Sequence, residues 1–307
     1  MRCRCLQGRR NRTYERSRMV AAAGSQPMLV LANLTPLRVA TFQQRVEVAA
    51  AAGFTALGLS LTSYRQILAT GLSPREVRAI LDGNGVRVAE LEVIIGFAAD
   101  PETGGGAPDT RGGSLADLDE YLAMAELFGA RHLQTVGSFR APIVEPDVIE
   151  RFAALCDRAA DVGLKVALEF IPTTNVPDAA TANWIVTEAG RPNGGVCVDV
   201  WHHVRGANDL ALLRAIDRAH LVSIQLDDGP IDRADPDFRT ETLHYRNVPD
   251  EGQFDLDAFL AALGGADPAI PVSVEVLSDE LAAADPVDAA RRLVTGTKAV
   301  LARSQPS

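Results

Sequence analysis

Eight short apolar runs, separated by longer amphipathic segments, recur along this chain from residue 28 onwards. The runs occupy residues 28–34, 55–61, 86–94, 130–137, 164–170, 195–200, 220–226 and 270–276. Apolar runs of this length are typical of buried strands, whereas the segments between them carry apolar residues at helical spacing. Strands that alternate with helices form a parallel sheet joined by right-handed crossovers. The pattern therefore predicts an α/β protein whose sheet has eight strands.

The segments between the runs carry residues that begin and end helices. Ser73 and Pro74 are typical of a helix start, and a glycine directly follows several of the patterns. The clearest helical patterns cover residues 41–53, 73–85, 114–129, 146–163, 178–190, 208–216, 254–263 and 286–301. Eight strand–helix units over about 270 residues match a single (β/α)8 TIM barrel. A doubly wound open sheet is the alternative, but it usually has a glycine-rich phosphate loop after its first strand, and residues 33–39 contain no glycine.

The first 18 residues differ from the rest of the chain in charge. They contain seven Arg and one acidic residue, Glu15, and so carry +6; since the whole chain carries −10, residues 19–307 carry −16. The segment lacks the apolar core of a signal peptide. We interpret residues 1–26 as a disordered leader, or as an over-extended start with Met19 as the true initiator, and we assign residues 27–307 to the barrel.

Composition argues against several classes of protein and partner. The acidic body would repel nucleic-acid phosphates, and no apolar run approaches the roughly 20 residues that cross a bilayer. The four cysteines have neither disulfide-scaffold nor zinc-motif spacing, which favours a reducing compartment. We therefore expect a cytoplasmic protein that acts on a small-molecule substrate, and the sequence leaves open whether it forms a homo-oligomer.

Two connections are longer than ordinary barrel loops. Residues 96–114 follow the third strand, and residues 227–252 follow the seventh. Both leave the carboxyl end of a strand, which is the barrel face where active sites are built. Long loops at that face are often lids or specificity elements, so we expect both to border the site.

Four consecutive strands, the fifth to the eighth, end in a polar residue with apolar neighbours. These residues are Glu169, Asp199, Gln225 and Glu275. Strand alternation places each of them on the face opposite its neighbours, which in a barrel is the interior. Three carboxylates at one barrel mouth cannot all ionise without compensation, and a divalent cation would supply it. Oxygen ligands favour Mn²⁺ or Mg²⁺, with Co²⁺ or Zn²⁺ also compatible. The alternative is that each acid caps a strand end or pairs with an arginine.

The segments that carry these residues resemble one known superfamily. ALEF, CVDVWHH, SIQLDDG and VSVEVLS, in this order, are similar to the xylose isomerase-like barrels, also called sugar phosphate isomerases/epimerases, and the resemblance covers residues 28 to about 303. It implies a metal bound at the ends of strands 5 to 8 by Glu169, Asp199, Gln225 and Glu275. Many members have histidine at the third position, so Gln225 departs from the majority.

The resemblance also implies residues that contact the substrate. His202 lies three residues after Asp199, a spacing that in the family places a histidine against a substrate oxygen near the metal. Arg246 is similar to the arginine before the family's PGEG-like turn, which would reach substrate oxygens; the alternative is a solvated loop charge. The family's glycine in that turn is Asp250 here, which puts the loop conformation in question.

Two further residues are candidates from the strand pattern. Glu92 ends the third strand and would point into the pocket to bind substrate, although Glu90 has the same parity and one of the two could be a deeper structural acid. Trp201 would wall the site or pack between helices.

Together these observations predict a divalent-metal-dependent isomerase or epimerase of carbohydrate metabolism. Glu169 and Glu275 would transfer protons on a small polyhydroxylated keto compound through an enediolate, with His202 assisting. The alternative within the superfamily is a dehydratase of the 3-dehydroshikimate or inosose type, which shares the first step. From other classes, an endonuclease IV-like nuclease is disfavoured by only five histidines in an acidic body, and a non-catalytic barrel by the intact ligand set.

Overall fold

Eight parallel strands in chain order close into a barrel in the computed structural model, which describes residues 26–97, 112–139 and 146–304. The last strand pairs with the first, Leu29 opposite Val272 and Leu31 opposite Val274. The predicted TIM barrel is therefore confirmed. The basic leader and residues 98–111 of the first long connection lie outside the described residues.

The strands are short and almost entirely buried, because helices cover the outer face of the sheet and side chains fill the inside. They are β1 (Leu29–Leu31), β2 (Ala56–Ser60), β3 (Arg87–Ile95), β4 (His132–Val136), β5 (Lys165–Glu169), β6 (Gly194–Asp199), β7 (Leu221–Leu226) and β8 (Val272–Val274). All eight fall within or beside the predicted apolar runs.

The helices begin and end with the expected local chemistry. Ser73 and Glu76 form a capping box at the start of the helix that begins at Pro74, and Gly129 and Gly190 end their helices in the left-handed conformation. The helices are α1 (Phe42–Ala52), α2 (Leu61–Ala69), α3 (Pro74–Gly83), α4 (Leu118–Phe128), α5 (Asp147–Ala160), α6 (Ala179–Ala189), α7 (Val200–Arg205), α8 (Leu210–Arg214), α9 (Phe238–His244), α10 (Leu256–Ala262), α11 (Asp279–Ala283) and α12 (Pro286–Arg303).

Four of these helices, α2, α7, α9 and α11, were not predicted. Two of them start with no intervening loop, because the last residue of the strand is also the helix N-cap. Ser60 ends β2 and accepts the amide of Ser63, and Asp199 ends β6 and accepts the amide of Trp201. The sequence pattern therefore changes from strand to helix at a single residue. For this reason the predicted strand, residues 55–61, extends one residue beyond Ser60, where β2 ends.

The core divides into an apolar layer outside the barrel and a more polar interior. Leucine, valine and isoleucine side chains fill the space between strands and helices. The interior instead holds buried polar groups, among them Glu90, His132, Gln134, Ser223 and Ser273. Among the described helices, none combines the length and apolar character needed to cross a membrane.

Candidate active site

The four polar strand ends meet at the carboxyl mouth of the barrel. Asp199 lies directly opposite Gln225 in the β6–β7 pairing, and both are almost fully buried. Glu169 ends β5, and Glu275 follows β8 directly. The structure thus gathers all four predicted residues at one end of the barrel, as the strand alternation required.

Glu169, Asp199 and His202 form the tightest group of potential metal ligands in the described part of the chain. One ligand atom from each lies within 4.8 Å of the others. His202 reaches this position because α7 begins directly after Asp199; its Nε2 is 3.4 Å from Glu169 Oε1 and 3.6 Å from Asp199 Oδ2. Burial lowers the pKa of His202 to about 4, against the opposing effect of Asp199. The imidazole is therefore neutral at pH 7 and can ligate a cation or hydrogen-bond a substrate.

Arg246 lies among the other carboxylates of the site. Its Nη1 donates to Asp199 Oδ2 at 3.0 Å, to Asp227 Oδ2 at 2.6 Å and to Glu275 Oε2 at 3.4 Å. Burial alone would lower the pKa of the guanidinium, but these carboxylates together raise it above its usual range. The side chain is only 2% exposed, so it is an interior cation and not a solvated loop charge.

Among the described residues of the site, acidic side chains outnumber the buried cation Arg246. Burial raises the pKa of Glu169 well above its ordinary value, and Glu275 and Asp199 raise it further. Burial and Asp199 likewise raise the pKa of Asp227. Among the described residues, one oxygen of Asp227 has no hydrogen-bond partner. Carboxylate oxygens and a neutral imidazole are suitable ligands for a divalent cation, which would relieve this repulsion.

The predicted ligand set overlaps this geometry but does not coincide with it. The structure adds His202 to Glu169 and Asp199, while the Glu275 carboxylate is held by Arg246. The amide oxygen of Gln225 accepts a weak hydrogen bond from Cys197 Sγ at 3.6 Å. Ligation by all four predicted residues stays a prediction.

A pocket of about 390 Å³ opens above this group, within the size range of small-molecule sites. Its floor is polar and includes Glu92, Gln134, Glu169, His202, Arg246 and Glu275. Its walls are mainly apolar and include Leu34, Val93, Ile95, Val136, Phe139, Ile171, Phe238, Leu243 and Leu277. The site therefore offers convergent polar groups at the bottom of an apolar cleft.

Trp201 does not line this pocket. It is fully buried, and its indole N–H donates to the Thr242 hydroxyl at 3.0 Å. The guanidinium of Arg246 lies 5.4 Å from the indole ring centroid and that of Arg205 lies 4.7 Å from it. Trp201 thus packs behind Arg246, and its contact with a substrate stays a prediction.

The connection after β7, residues 227–252, contributes several residues to the pocket wall. Its helix α9 contributes Phe238 and Thr242 to the pocket, and Glu241 fixes this helix through an ion pair with Arg205 at 3.1 Å. At the base of the connection, the Asp228 carboxylate accepts backbone N–H groups from Gly229, Asp250, Gly252 and Phe254.

In the turn that follows Arg246, the backbone has the left-handed conformation that glycine commonly adopts. Asp250, which stands where the family has glycine, adopts a φ of 73°, in the left-handed region that favours glycine. Its carboxylate pairs with Arg303 at 2.7 Å. The substitution therefore leaves the left-handed turn in place.

Two site residues were missed in the sequence. Gln134 donates to Glu169 Oε2 at 3.2 Å from the middle of β4, and Asp227 binds Arg246. Both carried a signal, since Gln134 is a polar residue at the centre of a buried strand and Asp227 has the parity of Gln225. Glu92, which was predicted, does line the pocket.

The fold and the site together define a TIM-barrel protein with an acidic mouth able to hold a metal ion. The chain belongs to the xylose isomerase-like TIM barrel family, whose model matches residues 46–296. This confirms the family resemblance.

Three proteins similar to this chain share less than 25% of their residues with it. The 3-dehydroshikimate dehydratase of Pseudomonas putida is 23% identical over 247 residues, which is 80% of this chain but 37% of that protein, so this chain spans about a third of its length. The IolI protein, crystallised with a bound zinc atom, superposes with a TM-score of 0.78 at 20% identity, covering 91% of this chain and 100% of that one. D-allulose 3-epimerase from Methylomonas sp. gives 0.65 at 18% identity, with 91% and 100% covered. At these identities the structural likenesses show the shared fold.

Proposed function

We propose that this protein is a divalent-metal-dependent isomerase or epimerase that moves a proton at the carbon beside the carbonyl of a small polyhydroxylated keto compound. The observation that carries the proposal is the convergence of Glu169, Asp199 and His202 within 4.8 Å beneath a pocket that Glu275 also lines. Mn²⁺ or Mg²⁺ suits the oxygen-rich donor set, and a histidine ligand keeps Zn²⁺ or Co²⁺ compatible.

The metal would be held by Glu169, Asp199 and His202, with Gln225 and Glu275 as the further ligands expected from the sequence. When bound, it supplies Lewis acidity that polarises the substrate carbonyl and acidifies the neighbouring C–H bond. The chain's own residues then move the proton. Glu169 and Glu275 both line the pocket, so one can remove the proton while the other returns it to the adjacent carbon or the opposite face.

Other side chains hold these two carboxylates and the substrate in place. Gln134 donates to one oxygen of Glu169 and so fixes the direction of its other oxygen. Arg246 holds Glu275 from beneath and also lines the pocket, where its remaining N–H groups can meet substrate oxygens. The apolar walls exclude water from the reacting carbon, which protects the intermediate from side reactions.

Dehydration is the second candidate, and a specific observation favours it. The curated relative from Pseudomonas putida carries the name 3-dehydroshikimate dehydratase. Elimination begins with the same removal of a proton beside a carbonyl, so the same two carboxylates would serve it. The two candidates differ only in whether a hydroxyl group then leaves.

The test is solvent isotope exchange. The Mn²⁺-loaded protein is incubated in D₂O with a panel of keto-sugars, inososes and 3-dehydroshikimate, and NMR follows carbon-bound deuterium and products. We expect deuterium beside the carbonyl of at least one compound. Glu169→Gln and Glu275→Gln should each lower the rate at least about a hundredfold, since each removes a base but keeps the side-chain shape.

Glu188→Gln, on the exposed face of α6, is the matched control and should leave the exchange rate unchanged. Turnover without any carbon-bound deuterium, or full activity in both site variants, would refute the proton-transfer mechanism.

A further inference from the structure

A second pair of acids lies in the barrel beside the metal-capable group. Glu92 lines the pocket, whereas Glu90 lies deeper in the interior, and both are almost fully buried. Their Oε1 atoms lie 1.9 Å and 2.9 Å from the same point beside Gly58, so the two oxygens are at most 4.8 Å apart. Two carboxylates this close and this buried repel each other, which favours a pair that holds one proton.

The surrounding contacts are built for such a pair. Glu90 Oε1 accepts a hydrogen bond from the Ser273 hydroxyl at 2.6 Å, and Glu92 Oε1 accepts one from the backbone N–H of Asn33 at 2.7 Å. The neighbouring strand makes room for them, because a Cβ at Gly58 would lie 1.9 Å from Glu92 Oε1 and 2.9 Å from Glu90 Oε1. A residue other than glycine there would force the pair apart.

Among the described residues, no lysine or arginine forms an ion pair with Glu90 or Glu92, although the charge of Arg45 lowers the pKa of Glu92. Arg45 directs its guanidinium to the backbone carbonyls of Ala32, Asn33 and Thr35. His132 Nε2 is 3.4 Å from Glu90, but burial lowers the pKa of this histidine to about 3, so it is neutral.

Burial raises the pKa of both Glu90 and Glu92, and the charge of Glu275 raises that of Glu90 further, whereas Ser273 lowers the pKa of Glu90 and Asn33 lowers that of Glu92. Burial is the largest of these effects, so we expect the pair to hold one proton, and the pocket is in contact with it through Glu92.

We propose that Glu92 is the general acid of the reaction and protonates the hydroxyl oxygen that leaves the substrate, while Glu90 is the positioning residue that holds this proton on Glu92 between turnovers. The inference rests on the proposed proton-transfer function and makes elimination the reaction that uses the whole site. The site then has a proton donor, Glu92, that is separate from Glu169 and Glu275, the two carboxylates that act on carbon.

The substrate of this step is a β-hydroxy ketone. The C–H bond beside the carbonyl breaks, and its proton goes to Glu169 or Glu275. The electron pair forms a carbon–carbon double bond as the C–O bond breaks, and the leaving oxygen takes the Glu92 proton and departs as water. Glu92 is left as a carboxylate and regains a proton when the carbon-derived proton is released through solvent.

The first test needs no substrate. Infrared spectra of the full-length protein at pH 7, in H₂O and D₂O, report the C=O stretch of a protonated carboxylic acid, which shifts on deuteration. In the Mn²⁺-loaded protein we expect the difference spectrum between the wild type and Glu92→Gln to show the loss of one such buried acid, with Glu188→Gln unchanged as the matched control. Ser273→Ala should shift the band, because it removes the hydroxyl that holds Glu90.

The second test separates the two chemical steps on whichever panel compound the wild type dehydrates, with 3-dehydroshikimate as the first probe. Glu92→Gln should retain deuterium exchange at carbon and lose C–O cleavage at least about a hundredfold. Glu90→Gln should shift the pH dependence of cleavage while KM stays close to that of the wild type.

A wild-type protein without the acid band overturns the inference, as does a Glu92→Gln spectrum identical to that of the wild type. Cleavage at the wild-type rate in Glu92→Gln also overturns it, and so does deuterium exchange in the wild type with no cleavage of any β-hydroxy ketone in the panel. These outcomes leave the proposed function standing, whereas absent exchange in the wild type refutes the proposed function even if the acid band is present.

Discussion

Replacing Arg246 by methionine would remove the single cation that contacts three buried carboxylates of the site. The side chains of Arg246, Asp199 and Asp227 are 2%, 0% and 0% exposed, and that of Glu275 is 9% exposed. Methionine has a similar length and no charge, so the change tests electrostatics more than packing. Because solvent cannot screen these groups, the carboxylates would keep their mutual repulsion without the guanidinium charge that offsets it.

Removing one partner from a buried ion pair typically destabilises a protein by about 3–5 kcal/mol. For a chain of this size we expect a fall in Tm of at least about 6 °C. The pKa values of the carboxyls, already raised at Asp227 by burial, would rise further without the guanidinium. Acid that protonates them removes the repulsion, so the loss of stability should be largest near pH 8 and shrink as the pH falls towards 5.

Differential scanning calorimetry of the metal-free protein across this pH range measures the effect. Arg65→Met is the matched control, because its ion pairs with Asp117 and Glu120 are exposed and contribute little. Arg246→Lys keeps the charge and should lie between the wild type and methionine. An Arg246→Met protein as stable as the wild type at pH 8, or one that loses more stability at pH 5 than at pH 8, would show that this cation does not compensate the carboxylates.

Three further predictions concern the metal and the N-terminal segment of the chain. Metal analysis after dialysis against Mn²⁺ should find about one ion per chain, and Mn²⁺ at a hundred times its Kd should stabilise the protein by about 2.7 kcal/mol; a Tm unmoved by Mn²⁺, Mg²⁺, Co²⁺ and Zn²⁺ contradicts this. Gln225→His should retain activity and shift preference towards softer ions, measured as rates with Mn²⁺ and Zn²⁺; inactivity with every metal speaks against a ligand role. Removing residues 1–18 should leave Tm and activity unchanged, and a Tm several degrees lower would show that the segment packs.

The strands and the polar mouth were predictable because each rests on a local signal. Eight apolar runs fix eight strands, and the alternation around Glu169, Asp199 and Gln225 fixes the face on which these side chains lie. Strand order then follows from short right-handed crossovers, which leave few other topologies. These inferences need only neighbouring residues and a general rule of chain geometry.

The remaining parts of the site depend on contacts between residues distant in sequence. Helix α9 has only seven residues, too few to show a helical period, and it is fixed by an ion pair between Glu241 and Arg205. The role of Arg246 was left open because only the fold decides whether a loop arginine is buried. Gln134 and Asp227 could have been found by parity, since Gln134 lies in β4 and Asp227 directly follows β7 with the parity of Gln225.

The network of backbone hydrogen bonds at Asp228 has a consequence for how such barrels diverge. By accepting amides from Gly229 at one end and from Gly252 and Phe254 at the other, this carboxylate joins both ends of the connection after β7 at a single point. The residues between them, including Phe238 and Thr242, form a self-contained insert whose ends do not move when its middle changes. A descendant could exchange this insert and acquire a different pocket wall, while the carboxylates inherited at the barrel mouth keep their geometry.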